Sequence, residues 1–146
     1  MLIEGEAIRA LLPHRGAMCL IDIVERCDEA SISCTTRQHL HADNPLRRRG
    51  RLSIVHAIEF AAQAAALHAA LTLPSTPSPR AGLLVSVRHC ALHASALDRD
   101  GGALTIEARR SAHSATFSTY EFGVDAANGR LASGRIGVYF EGMAGR

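Results

Sequence analysis

SIVHAIEFAAQAAALHAAL, residues 53–71, is the stretch whose reading decides the fold. It contains no glycine or proline, and seven alanines follow Glu59, so intrinsic propensity predicts one long helix ending near Leu73-Pro74. Ser53 stands where an N-cap is needed, because its hydroxyl can accept from an orphan amide of the first turn. At 100° per residue, His56, Glu59 and Gln63 fall within about 60° of one another and form a polar seam, while the rest of the cylinder is apolar. A helix that is apolar nearly all round has to be covered.

The flanking sequence supplies the cover. Glu6 to Leu12 has helical spacing and is stopped by Pro13. Met18 to Val24 (MCLIDIV) and Ser31 to Thr36 (SISCTT) read as two strands joined by a turn around Asp28 and Glu29. His41 to Gly50 (HADNPLRRRG) has no apolar period and reads as a loop. The three prolines of TLPSTPSPR, after the helix, mark an irregular surface connection. Four strands follow: Leu83 to His93, Ala103 to Ser111, Ala115 to Val124 and Arg130 to Phe140, with turn signals at Asp100-Gly101-Gly102 and Asn128-Gly129. A lone long helix with about six strands is an α+β arrangement in which the sheet wraps the helix, and small alanine side chains let the two approach closely.

Length and charge narrow the function. A chain of 146 residues is expected to form a single domain, and 47% hydrophobic against 21% charged residues suffices for a core. Sixteen Lys and Arg against fourteen Asp and Glu give +2, far short of the basic face of a nucleic-acid binder. His56, Glu59, Gln63 and His68 interrupt the longest apolar run, so no membrane span is expected, and the first residues lack the features of a signal peptide. Cys19, Cys27, Cys34 and Cys90 lack zinc-site spacing and disulfide density, which fits reduced thiols in the cytoplasm. His68, His89, His93 and His113 show no ligand spacing with other Cys, Asp or Glu, so no metal is expected.

Glu59 on a covered helix is expected to be at least partly removed from water, which is costly for a carboxylate unless it is bonded, protonated or beside a polar cavity. Two readings stay open from the residues alone. Glu59 faces solvent or pairs with an arginine, or it is a general acid or base beside an alanine-lined groove, with Gln63 orienting the carboxylate or a water.

LLPHRGAMCLIDIV, residues 11–24, together with IEFAAQA, residues 58–64, resembles the 3-hydroxyacyl-acyl-carrier-protein dehydratases, which have the hotdog fold. ADNPLRRRGRL leading into HAIEFAAQA is most similar to the aryl-polyene-type members, and SVRHCALHASAL and GRIGVYF sit where that family has later strands. The resemblance implies a six-stranded antiparallel sheet around the helix and a dimer with acyl tunnels along its interface. It implies that Glu59 works with a histidine: the histidine takes a proton from the carbon beside the thioester, and the acid helps the 3-hydroxyl leave as water. Gln63 matches the family glutamine one turn after the acid, and amides around Leu52 and Ser53 would polarise the thioester carbonyl. No cofactor is implied. The aryl link rests on the resemblance alone, since aromatic residues make up 4% of the chain and Trp is absent.

The sequence departs from that family at one important place. Fatty-acid dehydratases carry a Gly-His-Phe-Pro-Gly loop, whereas here the region reads NPLRRRGRLS, without histidine. His56, at i to i+3 from Glu59, is the first candidate to replace the loop histidine; His39, His41 or a partner's histidine are the others. His14, with Arg15, is expected to fix the turn after the first helix. Arg47, Arg48, Arg49 and Arg51 are either a solvated loop or a patch that steers an acidic acyl carrier protein and grips the phosphate of its phosphopantetheine arm. Three functions are carried forward: dehydration on acyl carrier protein, thioester hydrolysis on the same fold, and a subunit inactive without a second dehydratase-like partner.

Overall fold

The computed structural model describes residues 2–12, 18–72, 82–99, 101–114 and 116–140. The expected turn at His14 and Arg15, the proline-rich connection at 73–81 and Asp100 of one expected turn lie outside them. The described residues form β1 (Ile3–Glu4), α1 (Glu6–Leu11), β2 (Ile23–Cys27), β3 (Ser31–Thr36), α2 (Ala57–Thr72), β4 (Gly82–Leu92), β5 (Leu104–His113), β6 (Phe117–Ala126) and β7 (Gly129–Phe140). The strands make one antiparallel sheet in the order β1-β2-β3-β5-β6-β7-β4, folded around α2.

Alternation along the strands aims the core at the helix. On β5, Leu104, Ile106 and Ala108 are buried while Glu107 and Arg109 are exposed. Ile32 and Cys34 of β3, Tyr120 and Val124 of β6, and Ile136 and Val138 of β7 complete that face. From the helix, Ala57, Phe60, Ala61, Ala64, Ala65 and Leu67 are fully buried against it. Four of those six are alanines, so the backbone can approach the sheet closely, and a larger side chain at Ala64 would overpack the contact by about 1–3 kcal/mol. The segment Ile54–Thr72 is long and apolar enough to cross a membrane by composition, but 61% of its apolar window is buried inside the fold. Close approach recurs on β7. A Cβ at Gly134 would stand 3.1 Å from both the Cys90 Cα and the Phe122 ring.

Several boundaries differ from the expectation. The sheet has seven strands among the described residues, because Ile3 and Glu4 pair with Val24 and Ile23. The strand expected at Met18 to Val24 begins only at Ile23. The residues before it are pinned by side chains: Gln63 Nε2 donates to the Met18 carbonyl at 2.6 Å, the Leu20 amide donates to Gln63 Oε1 at 2.8 Å, and the Thr36 hydroxyl donates to the Leu20 carbonyl at 2.6 Å. The long helix opens with a 3-10 turn at Ile54–His56, capped by Ser53 as expected, whose Oγ accepts from the Val55 amide at 3.3 Å. The four cysteines are unpaired thiols. Burial pushes that of Cys34 up to about 12, which makes it inert.

Candidate active site

The 3-10 turn and the first turn of α2 bring His56 and Glu59 together, with His56 Nδ1 2.5 Å from a Glu59 carboxylate oxygen. Their side chains are 24% and 45% exposed, respectively. The spacing of three residues puts both on one helix face, and the contact fixes the imidazole chemically. With Glu59 ionised and the imidazole neutral, Nδ1 carries the hydrogen and donates it, which leaves Nε2 as the basic nitrogen. A histidine held this way by a carboxylate is a positioned proton acceptor.

His56 is also part of the wall of a pocket of about 160 Å³. Arg48, Arg51, Ser53 and Ser95 supply its polar groups, and Leu46, Leu52 and Ala96 its apolar ones. Glu59 is not among the residues that line this pocket. Ala57, Ala61, Ala64 and Ala65 of α2 are fully buried, and the wall of the pocket comes from residues 46–56 and from the chain at 95–96 that pairs with them. That pairing is direct. The Leu97 amide donates to the Leu52 carbonyl at 3.0 Å, and the Ile54 amide to the Ser95 carbonyl at 3.1 Å. The Ile54, Val55 and His56 amides are thus engaged with Ser95, the Ser53 hydroxyl and the Ser53 carbonyl. Among the described residues, no hydrogen bond is made by the amides of Leu52 and Ser53.

Gln63 was expected to orient the carboxylate or a water. It is buried, and both ends of its amide bind the chain at Met18 and Leu20, so it fastens that segment to the helix. His41 is exposed, whereas His39 is fully buried with its pKa lowered by that burial. Among the described residues, no group of three or more His, Cys, Asp or Glu side chains gathers as a metal site.

The arginines divide. Arg48 through Arg51 form a tight turn in which the Arg48 and Arg51 backbones bond each other at 2.8 and 3.0 Å. Arg49 and Gly50 occupy its two positive-φ positions, 54° and 75°, as a type I′ turn requires. Arg48, Arg49 and Arg51 are therefore exposed, and the first and last of these reach the pocket. Arg47, just before the turn, points inward to Asp98 at 2.7 Å. Sequence reading did not single out Asp98, an acid 51 residues away along the chain.

Comparison with known proteins gives this geometry its relatives. The fold is similar to the dehydratase heterocomplex ApeI:P from Xenorhabdus doucetiae, with a TM-score of 0.77 at 22% identity over 91% of this chain and 90% of that one. It is also similar to a thioesterase from Haemophilus influenzae, with a TM-score of 0.65 at 12% identity over 95% and 91% of the two chains. A hypothetical thioesterase with coenzyme A from Streptococcus pneumoniae has a TM-score of 0.58 at 14% identity over 82% and 85%. At such identities these likenesses establish the hotdog fold alone. No curated protein matches the sequence closely. The model of the ApeP-like family, described as ApeP dehydratase, matches residues 6–143, which takes in the helix, its polar pair and the arginine turn: the chain is a dehydratase of the ApeP-like family.

Proposed function

We propose that the protein dehydrates a 3-hydroxyacyl thioester carried on acyl carrier protein to the trans-2-enoyl thioester, with His56 and Glu59 as the reacting pair. The observation that carries this reading is the 2.5 Å contact between them, with His56 on the wall of a pocket beside an arginine turn. His56 Nε2 takes the proton from carbon 2. The electron pair left there forms the C2–C3 double bond as the C3–O bond breaks, and the pair returns one proton to the departing hydroxyl, which leaves as water. His56 and Glu59 thus end with the protons they began with. In this reading the amides of Leu52 and Ser53, on the pocket wall, would polarise the thioester carbonyl. Arg48, Arg49 and Arg51 provide positive charge for an acidic carrier, and Arg48 and Arg51 for the phosphate of its arm.

A partner subunit belongs to the same reading. Among the described residues β4 is the last strand of the sheet and pairs only with β7, and Val85, Val87 and Leu92 on it are exposed. An edge strand of 11 residues with exposed apolar side chains invites a second chain. The similar structure from Xenorhabdus doucetiae is a heterocomplex, which favours a dehydratase-like partner over a second copy.

The test is to incubate a 3-hydroxyacyl carrier protein with this protein alone and with such a partner, following enoyl formation and free thiol together. Enoyl product without thiol supports dehydration on the carrier. Thiol release without enoyl product would make the protein a thioesterase, and product only on adding the partner would assign it the role of an obligate subunit.

A further inference from the structure

The segment before the helix holds no regular element apart from a 3-10 turn at Gln38–Leu40, yet it is built around one side chain. Arg47 Nε donates to the His41 carbonyl at 2.8 Å, Nη2 to the His39 carbonyl at 2.7 Å, and Nη1 to the Gly50 carbonyl at 3.1 Å and to Asp98 at 2.7 Å. Four bonds use four of the five N–H donors of a guanidinium, in directions that the single ammonium of a lysine cannot cover. The side chains of Arg47 and Asp98 are only 12% and 22% exposed, so this pair is screened far less than a surface bridge. Three of the acceptors, at 39, 41 and 50, lie on the loop. The fourth, Asp98, follows the chain at 95–97 that pairs with Leu52 and Ile54.

The consequence falls on the next four residues. The turn from Arg48 to Arg51 is anchored on one side by Arg47 and on the other by the Leu52–Leu97 pairing, and its first and last arginines line the pocket with His56. We propose that Arg47 is a positioning residue: clasped to Asp98, it fixes the turn that presents Arg48 and Arg51 to the pocket. The inward arginine sets the geometry, and Arg48 and Arg51 at the pocket meet the ligand. The consequence for catalysis rests on the function proposed above, whereas the consequence for the turn does not.

Two measurements on the full chain separate these. Amide hydrogen exchange by NMR is compared in the parent, Arg47→Met, Arg47→Lys and Asp98→Asn. The last keeps the shape of its side chain and every carbonyl bond, and so keeps the test open should Arg47→Met fail to fold. Losing the clasp should speed exchange of the Arg48 and Arg51 amides at least about tenfold while leaving the Phe60 to Leu67 amides within about twofold. Unchanged exchange in the turn, exchange that rises equally throughout the helix, or an Arg47→Lys protein indistinguishable from the parent would each overturn the proposal. In the second measurement, KM for a carrier-linked 3-hydroxyacyl substrate should rise about five- to tenfold with kcat within about twofold, the split expected when binding contacts are displaced. A fall in kcat at constant KM would refute the link to ligand binding. Should the parent protein turn over no such substrate with or without a partner, the proposed function fails while the exchange data still decide the clasp.

Discussion

The two ends of the central helix each hold a histidine, and the two are used in opposite ways. At the first end His56 is partly exposed, bonded at Nδ1 to a carboxylate, and open toward a pocket. At the other, His68 is fully buried and closed on every side. Its Nε2 donates to the Asp28 carbonyl at 2.8 Å, which leaves Nδ1 to accept from the Tyr120 hydroxyl at 2.8 Å. The Tyr120 ring meets the imidazole edge-on, and Arg110 reaches Tyr120, His68 and, at 2.5 Å, Thr72. Both are histidines on one helix, so residue type does not separate the two uses. What separates them is whether one ring nitrogen remains available. On the proposed function the open pair exchanges a proton with a ligand, whereas the closed network holds the helix end to the β2–β3 turn.

The sharpest way to break this contrast is at the open end. Glu59→Gln keeps the shape but removes the negative charge that orients His56, and His56→Ala removes the base. Each should lower turnover by about 10²–10⁴-fold, the range for a positioned proton-transfer group, with the melting temperature nearly unchanged because both side chains are partly exposed. Steady-state kinetics beside a thermal melt checks this, and near-parental turnover in either variant would remove the pair from the mechanism. The closed end should respond the other way. Tyr120→Phe keeps the ring and deletes one hydroxyl that serves both His68 and Arg110, at an expected cost of about 1–2 kcal/mol. That corresponds to a few degrees of melting temperature, with turnover per folded molecule unchanged. If Tyr120→Phe damaged turnover as much as Glu59→Gln, the two ends would not be functionally distinct.

How far this contrast was legible in the sequence depends on the range of the interactions. The helix, its Ser53 cap and strand Ser31–Thr36 follow from local propensity, and the His56–Glu59 contact follows from a spacing of three. Interactions that join distant residues were not legible. The two residues of β1 are a strand only because β2 lies beside them. Met18 to Asp22 has the apolar content of a strand, yet Gln63, more than forty residues later, holds the start of this run. Nor can composition say which of three consecutive arginines turns inward, because that choice is made by the backbone of the Arg48–Arg51 turn and by Asp98. The pocket escaped for the same reason: its wall joins residues 46–56 to 95–96, and Glu59 meets it only through His56.

Acid should sharpen the contrast through stability. Burial holds the pKa of His68 below its ordinary 6.5, and Arg110 on β5 lowers it further, against partial rises from its bond to the Asp28 carbonyl, the Asp28 charge and the Glu29 backbone; Tyr120 on β6 bonds it and Arg110 ties it to Thr72. Because the folded value lies below the unfolded one, the unfolded chain takes up the proton first as pH falls. Stability is therefore full above about 6.5 and declines below it until the folded histidine also protonates, with a slope of at most about 1.4 kcal/mol per pH unit for this group. His39, buried in the same direction, adds a slope of the same sign. Urea titrations across that interval should show the decline, and His68→Gln should flatten it in part. An identical slope in the parent and in His68→Gln would mean that the closed network does not sense pH.

The smallest expected effect concerns charge that a partner can reach. Arg48 and Arg51 are exposed at the pocket, whereas Arg110 is committed to the interior of the fold, so only the former can be felt by an acidic ligand in solution. Arg48→Gln or Arg51→Gln should weaken binding of an acyl carrier protein only a few-fold at low salt, and the difference should fade as ionic strength shortens the screening length to about 8 Å or less. Arg135→Gln is the control: it removes the same charge from the outer face of the sheet, where Arg135 pairs with Glu121. If the turn supplies the steering charge, the turn variants reduce the salt dependence of binding and Arg135→Gln leaves it as in the parent. Equal effects from all three would mean that overall net charge, and not the turn before the helix, attracts the carrier.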